Sequence, residues 1–211
     1  FICNKDNNDE RILQKKKIAG VLGLPYDKKW YLYVPTWRHD DSKVFSFSTS
    51  KRKVELENIL KNQGAILIEK QHPIVLRRCS LPFGMRNDID VLTQEQSQVI
   101  DTQELLMASD LLITDYSSIY YDFVLLDRPV IHFAYDYDDF MSKEMGFNFD
   151  IRDYGGGPFA YSEDELLSFL KKTDADLLSL RNPSTRRDQL TFEKGCACDQ
   201  YCKLFRDLLN E

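Results

Sequence analysis

The sequence lacks an apolar run that could cross a bilayer, which takes about 20 residues, and it shows no signal-peptide pattern. It also lacks an excess of positive charge, since the net charge of the 211 residues is −6 at pH 7. An acidic chain is a poor electrostatic ligand for nucleic acid and has no polybasic membrane anchor. We therefore expect no nucleic-acid partner, and membrane contact only through parts that lie outside this chain.

Cysteine is scarce and irregularly spaced, with five residues of this type in the chain. An odd count without a disulfide-like spacing favours a reduced, cytoplasmic protein. Cys196, Cys198 and Cys202 form a C-x-C-x3-C pattern, but no fourth ligand is close to them in sequence. A metal site and cysteines carried by a C-terminal helix are the two interpretations, and we take the helix. We predict no metal and no cofactor.

Short apolar runs alternate with helical patterns along the chain, which predicts a Rossmann-like α/β fold with a parallel sheet covered by helices on both faces. No repeat or linker divides the sequence, so we predict one lobe over residues 1–211 with a C-terminal helical extension at 175–211. The chain begins at Phe1, so we expect a fragment of a longer protein. The predicted strands are Trp30–Val34, Ala65–Ile68, Ile89–Leu92, Leu111–Thr114 and Pro129–Phe133.

Ligands of open α/β sheets bind beyond the carboxyl ends of the strands, so the residues directly after each strand are the first candidates for a site. Four groups follow predicted strands and carry hydroxyl, cationic, carboxylate or imidazole side chains. They are Thr36–Arg38, Lys70–His72, Asp115–Ser118 and Ala134–Asp136.

The stretch "TDYSS" places Thr114, Asp115, Tyr116, Ser117 and Ser118 where a strand becomes a helix predicted over Ser117–Leu126. Free N–H groups at a helix start attract phosphate, and the serine hydroxyls add donors. Asp122 follows about one turn later, where a carboxylate could accept hydrogen bonds from a ribose diol. The alternative is that Ser117 only caps the helix and Asp122 faces solvent. Neither glycine-rich phosphate-binding motif occurs in the chain.

Two further segments add polar groups after the first two strands. "PTWR" supplies Thr36 and Arg38, whose guanidinium suits phosphate, although an exposed loop arginine is the simpler interpretation. "EKQHP" supplies Lys70 and His72, and the following Pro73 restricts the backbone that aims the imidazole. Histidine can act as a general base near neutral pH, but a lone histidine is more often structural.

Other residues with suggestive chemistry have simpler explanations. His132 lies within an apolar strand and is expected in the core, and His39 is expected in solvent. "YGGGP", residues 154–158, could form a plain turn or allow close approach of a ligand. The acidic residues at 136, 138 and 139 could bind a divalent cation, but helix capping explains them as well.

Several segments together resemble the C-terminal half of the CDP-glycerol glycerophosphotransferases, the teichoic-acid and capsule polymerases and primases. The similarity covers about residues 20–172, and the order and spacing of the motifs agree. Its most specific part is "LITDYSS" followed by an aspartate and "RP". The segments are "YVPTWR", "EKQHP", "ASDLLITDYSSIYYDFVLLDRPVIHFAYD" and "GGGPFAYSEDELLSFL".

The resemblance implies the C-terminal, donor-binding lobe of a two-lobed glycosyltransferase-B fold. It implies transfer of glycerol phosphate, or a related alditol phosphate, from a CDP-activated donor to a hydroxyl of a polymer acceptor, with release of CMP. Ser117 and Ser118 match positions that grip the diphosphate, Asp122 matches a ribose-binding position, and His72 matches a catalytic histidine. The family also has a second histidine in the acceptor lobe. Gln71 and the "GGP" of Gly156–Pro158 depart from the usual family pattern.

These expectations define a catalytic residue, His72, and a donor-binding set. His72 would accept the acceptor's proton or donate to a phosphate oxygen, and the sequence leaves both open. The full-length protein is expected at the inner face of the bacterial cell membrane, and the isolated lobe is expected to be inactive. A UDP-sugar transferase or epimerase lobe and a non-catalytic nucleotide-binding domain are the alternatives. The donor-binding set is Thr36, Arg38, Lys70, Thr114, Asp115, Tyr116, Ser117, Ser118 and Asp122.

Overall fold

Short runs of aliphatic and aromatic residues form the strands of a single sheet. The computed structural model describes residues 8–78, 84–143, 150–182 and 197–209. Its seven strands lie in the order β3-β4-β2-β1-β5-β6-β7. They are β1 (Lys29–Val34), β2 (Ala65–Glu69), β3 (Gly84–Arg86), β4 (Ile89–Val91), β5 (Leu111–Thr114), β6 (Val130–Phe133) and β7 (Phe159–Ala160).

Helices connect the strands and cover both faces of the sheet. Ser162 caps one of them by accepting a hydrogen bond from the Glu165 N–H. They are α1 (Asn8–Leu22), α2 (Lys53–Gln63), α3 (Pro73–Arg78), α4 (Gln94–Val99), α5 (Thr102–Ala108), α6 (Ile119–Val124), α7 (Tyr137–Lys143), α8 (Glu163–Leu170), α9 (Asp174–Ser179) and α10 (Ala197–Leu209).

Neighbouring strands are parallel, except that β3 pairs antiparallel with β4 at the edge. The predicted parallel α/β fold is therefore confirmed, with one antiparallel edge strand added. Every residue of β2, β5 and β6 is buried. Burial on both faces explains why these strands read as continuous apolar runs rather than as alternating patterns.

The two faces of the sheet build two separate cores. Along β1, Trp30 and Leu32 point into the core that α1, α5 and α6 cover. Tyr31 and Tyr33 point into the opposite core, covered by α2 and α8. The alternation follows from the two-residue period of a strand, and it leaves the strand ends free to carry polar residues.

Several short elements were absent from the sequence prediction. The helices α3 and α4 have six residues each, which is too few for helical periodicity to be visible. Strands β3 and β7 have only three and two residues. Pro73, expected only to restrict its neighbour, begins α3, a position that proline favours because its missing N–H is not needed there.

The predicted helix over Ser117–Leu126 is shorter in the structure. Helix α6 begins at Ile119 and ends at Val124. Ser118, not Ser117, is the residue at its N-cap, and its side chain makes no capping hydrogen bond. The Ser117 hydroxyl accepts only a long hydrogen bond of 3.5 Å from the Ile119 N–H. Helix capping therefore accounts poorly for the paired serines.

Within the helical extension predicted at 175–211, residues Ala197–Leu209 form α10. Cys202 is exposed with a free thiol, whereas Cys196 lies outside the described residues, so the interpretation of the three cysteines stays a prediction. Within the parts of the chain that the structure describes, none of the helices is both long and apolar enough to span a bilayer.

Candidate functional site

The loops after β1, β2 and β5 meet at the carboxyl edge of the sheet and enclose a pocket of about 560 Å³. Parallel neighbours in the sheet bring together segments that are far apart in sequence. Six of the ten predicted site residues line this pocket. They are Thr36, Lys70, His72, Tyr116, Ser117 and Ser118.

Arg38 does not reach the pocket, although the sequence predicted it as a phosphate ligand. Its side chain is 1% exposed and lies in a cage of oxygen acceptors. The guanidinium donates to Asp136 over 2.7 and 3.0 Å, to Asp115 over 2.8 Å and to the Thr36 carbonyl over 2.6 Å. These partners use most of the guanidinium donors, so Arg38 braces the loops behind the pocket, and its role as a phosphate ligand stays a prediction.

Thr114 and Asp115 are likewise not among the residues that line the pocket, and their donor-binding roles stay predictions. Asp115 is fully buried, and it accepts hydrogen bonds of 2.8 Å from both the N–H and the hydroxyl of Thr36. The Thr114 hydroxyl donates to the Val34 carbonyl over 2.7 Å. A buried polar group must be satisfied internally, so these two residues join the ends of β1 and β5 and position Thr36.

Tyr116 contributes its ring, not a free hydroxyl, to the pocket. The ring stacks on Phe140 with centroids 4.0 Å apart, and the hydroxyl donates to Asp136 over 3.0 Å. Burial and the neighbouring carboxylates raise the pKa of the Tyr116 phenol, so it stays protonated and neutral. Its role in the pocket is that of an apolar wall.

His72 stands at the start of α3 and faces the pocket. Its Nδ1 accepts a hydrogen bond of 3.2 Å from the Ile74 N–H, so the proton of the neutral ring sits on Nε2. Partial burial and the nearby Lys70 ammonium lower the pKa of His72 below 6.5. The imidazole is therefore neutral at pH 7 and offers the pocket an N–H donor.

Lys70 is a cationic residue that lines the pocket, two positions before His72 in the sequence. Its ammonium donates to the Ser97 carbonyl over 2.9 Å, which ties the side chain to α4. Burial lowers the pKa of Lys70 from 10.5. An ammonium has three donors, so the bond to Ser97 leaves it able to bind an anion.

Ser117 is half-buried and Ser118 is exposed in the turn before α6, and both line the pocket. Asp122 is not among the lining residues, and its carboxylate accepts a hydrogen bond of 3.0 Å from Gln103. The two serines thus line the pocket, whereas Asp122, predicted to bind the ribose, does not line it and contacts Gln103, the neighbour in sequence of the pocket residue Thr102.

The glycine segment and His132 pack behind the site. His132 is fully buried, as predicted; its Nδ1 donates to the Asp115 carbonyl over 2.9 Å, and its Nε2 accepts from the Gly156 N–H over 3.0 Å. Burial lowers the pKa of His132 to about 4. A Cβ at Gly157 would lie 1.8 Å from the Val130 carbonyl oxygen. The glycines therefore permit close packing on β6, not close approach of a ligand.

The acidic residues after β6 form ion pairs. Asp136 pairs with Arg38, and Asp139 accepts from Lys43 over 2.7 Å and from Lys143 over 2.8 Å. Among the residues that the structure describes, no group of three His, Cys, Asp or Glu side chains is placed to hold a metal ion. Ion pairing therefore explains Asp136 and Asp139.

Sequence reasoning missed several lining residues. Trp37 and Gln71 lie inside motifs that the sequence singled out, but an indole and an amide gave no chemical signal of their own. Ser97 and Thr102 come from the α4–α5 region, where α4 was not predicted, and Phe140 comes from α7. Trp37 and Gln71 could have been predicted from their positions after a strand. No comparable signal marked Ser97, Thr102 and Phe140 as lining residues.

The chain is similar in sequence and in fold to several known proteins. The sequence model of the family described as CDP-Glycerol:Poly(glycerophosphate) glycerophosphotransferase matches residues 1–194. The teichoic acid poly(glycerol phosphate) polymerase of Bacillus subtilis (strain 168) is 35% identical over 177 residues, which are 82% of this chain and 22% of that protein. The teichoic acid glycerol-phosphate transferase of Staphylococcus aureus (strain NCTC 8325 / PS 47) is 32% identical over 176 residues, 82% of this chain and 42% of that protein.

Solved structures of the wall teichoic acid polymerase TagF share the fold. One has a TM-score of 0.70 and 27% identity, and the match covers 97% of this chain and 48% of TagF. Another, obtained after a soak with CDPG, has a TM-score of 0.69 and 27% identity over 97% of this chain and 48% of TagF. The chain thus spans half or less of the length of these relatives.

Proposed function

Because the chain belongs to the CDP-glycerol:poly(glycerophosphate) glycerophosphotransferase family, we propose that its pocket binds CDP-glycerol or a related CDP-alditol. The proposed reaction moves the alditol phosphate to a hydroxyl of a teichoic-acid-like or capsular polymer. A bond forms between the acceptor oxygen and the phosphorus that carries the alditol. The bond from that phosphorus to the bridging oxygen breaks, and CMP leaves with the electron pair. The proton of the acceptor hydroxyl would pass to solvent or to a base of the acceptor lobe.

One observation carries the proposal: an ammonium, an imidazole and two serine hydroxyls surround a single pocket at the carboxyl edge of a parallel sheet. Open α/β sheets bind their ligands at this edge. The volume of about 560 Å³ is in the range of small-molecule and cofactor sites, about 300–1,000 Å³. These groups also have the chemistry that a diphosphate needs.

Besides His72, three of the predicted residues would donate hydrogen bonds to the diphosphate. Lys70 would supply positive charge, and Ser117 and Ser118 would supply hydroxyl donors from the turn before α6. Thr36 lines the same wall, but its hydroxyl already donates to Asp115 over 2.8 Å, so it would offer a ligand only an acceptor. Phosphoryl transfer depends mainly on positioning and charge stabilisation, which these groups would provide.

For His72 the geometry favours one of the two roles that the sequence left open. Its Nδ1 is occupied by the Ile74 N–H, so the neutral ring has its proton, not a lone pair, on Nε2. A donor at Nε2 suits a phosphate oxygen and the departing CMP, whereas a general base needs a free lone pair. We therefore propose that His72 donates to the phosphate and does not accept the acceptor's proton.

Binding of the polymer acceptor would require a second lobe. Matches cover 82% of this chain but 22–42% of two curated relatives, which supports one lobe of a larger enzyme. We propose that the 211-residue chain binds the donor without turnover. We also propose that the full-length protein works at the inner face of the cell membrane, which fractionation of the producing cells would test.

Calorimetry with CDP, UDP and GDP tests the nucleotide assignment. We expect CDP to bind more tightly than the other two, and Ser117→Ala to weaken CDP binding on the order of tenfold, as expected when a hydrogen bond to a charged group is lost. Ser168→Ala is the matched control, because Ser168 is exposed on α8 and its hydroxyl donates to the Glu165 carbonyl. Tighter UDP binding would favour a UDP-sugar enzyme, and equal or absent binding of all three would contradict the proposal.

A further inference from the structure

Gln71 is a buried amide between the two pocket residues Lys70 and His72. It lines the pocket and is 2% exposed. Its Nε2 donates to the Phe45 carbonyl over 2.9 Å and to Glu69 Oε1 over 2.8 Å. Both N–H donors of the amide are therefore used by the protein, and the group that Gln71 can offer to a ligand is its carbonyl oxygen.

The surroundings fix this orientation. Glu69 is fully buried, and its Oε2 accepts a hydrogen bond of 2.9 Å from the Phe47 N–H. If the Gln71 amide turned over, its oxygen would face the Phe45 carbonyl oxygen, which can only accept a hydrogen bond. A glutamine that is free to turn over can hydrogen-bond to either a donor or an acceptor of a ligand. An amide held in this way offers the ligand only its carbonyl oxygen, which is an acceptor.

We propose that Gln71 is a specificity-determining residue that accepts a hydrogen bond from an N–H or O–H group of the bound nucleotide-activated substrate. The inference rests on the proposed function and names how that site selects its ligand. A CDP-alditol has two sources of such a donor, the amino group of cytosine and the hydroxyls of the alditol. Uracil has a carbonyl oxygen where cytosine has the amino group, and it would leave the buried Gln71 oxygen facing another acceptor.

The test is calorimetry of the 211-residue chain with CDP, UDP and CDP-glycerol, comparing the wild type with Gln71→Met. Methionine has a similar length and no acceptor of comparable strength. If Gln71 binds cytosine, the variant loses CDP affinity on the order of tenfold to a hundredfold while UDP affinity changes little. If it binds the alditol, CDP and UDP affinities keep their ratio and the advantage of CDP-glycerol over CDP is lost.

Two further variants keep the result interpretable if Gln71→Met perturbs the loop. Gln71→Lys retains donors for Phe45 and Glu69 but has no acceptor, so it should lose the same selectivity while its thermal unfolding stays close to that of the wild type. Gln98→Met is the matched control, because Gln98 is exposed and does not line the pocket. It should bind all three ligands as the wild type does.

The outcomes separate this inference from the proposed function. If the wild type prefers CDP ligands and both Gln71 variants keep its CDP-to-UDP and CDP-glycerol-to-CDP ratios, the role of Gln71 is refuted and the proposed function stands. If the wild type does not prefer CDP ligands over UDP, the proposed function fails, and the role of Gln71 fails with it.

Discussion

Two ionisable residues that follow neighbouring strands lie in different surroundings. Arg38 lies within a cage made by Asp115 and Asp136, whereas His72 opens onto the pocket. A buried charge is stable only when it is paired and hydrogen-bonded, so separating Arg38 from its carboxylates to bind a phosphate would be costly. The His72 ring is neutral, so its burial does not require a paired charge. Its Nδ1 is hydrogen-bonded to a backbone N–H, and its Nε2–H remains available to a ligand.

The role proposed for His72 makes a prediction for the full-length enzyme. His72→Ala should lower kcat on the order of 100- to 10,000-fold with a smaller effect on KM, and His72→Gln should retain part of the activity because its amide can still donate. Both protonation states of the imidazole carry a proton on Nε2. We therefore expect His72 to cause no loss of activity at low pH. The pH–rate profiles of the wild type and His72→Gln should have the same shape on the acidic side.

Steady-state kinetics between pH 5 and 8 measures both effects. A general base would lose activity as the pH falls through its pKa, which lies below 6.5 for His72. If the wild type shows such a limb and His72→Gln lacks it, the donor role is wrong and His72 is the base.

At the scale of secondary-structure elements, strand β6 and the glycine segment are packed so closely that one added methyl group should not fit. A Cβ at Gly157 would lie 1.8 Å from the Val130 carbonyl oxygen, an atom of the backbone that cannot turn away. We expect Gly157→Ala to destabilise the fold by about 1–3 kcal/mol or more. Urea unfolding of the wild type and the variant measures this change.

Gly20 offers the matched control on α1. A Cβ there meets nothing within 4 Å, and alanine is the better helix former, so Gly20→Ala should stabilise the protein by about 0.5–1 kcal/mol. Equal effects of the two substitutions would show that the contact with Val130 does not constrain the segment.

The same elements show what the sequence could and could not predict. Strands β2, β5 and β6 were predictable because burial on both faces produces unbroken apolar runs, and the positions after them located Lys70, His72 and the two serines. The fate of Arg38 was not predictable, because its partner Asp136 is 98 positions away in sequence. Short elements such as α4 give no periodic signal, so Ser97 could not be placed at the pocket.

At the scale of the whole molecule, two buried groups make opposite contributions to the pH dependence of stability. His132 has a pKa of about 4 in the fold, against about 6.5 when unfolded. The unfolded state therefore binds more protons between these values, and stability falls as the pH falls from 6.5 to 4. Burial raises the pKa of Glu69 from 4.5 to about 7, so the folded state binds more protons and stability falls as the pH rises from 4.5 to 7.

Each contribution amounts to about 3 kcal/mol, at about 1.4 kcal/mol per pKa unit, so the two oppose each other between pH 4.5 and 6.5. We expect His132→Gln to cost less stability at pH 4.5 than at pH 7.5, and Glu69→Gln to cost less at pH 7.5 than at pH 4.5. Urea unfolding at four pH values across this range measures both differences. Ile131→Val, a change in the same strand without a titrating group, should give a curve parallel to that of the wild type. If the His132 and Glu69 curves are parallel to it as well, burial does not shift these two pKa values as proposed.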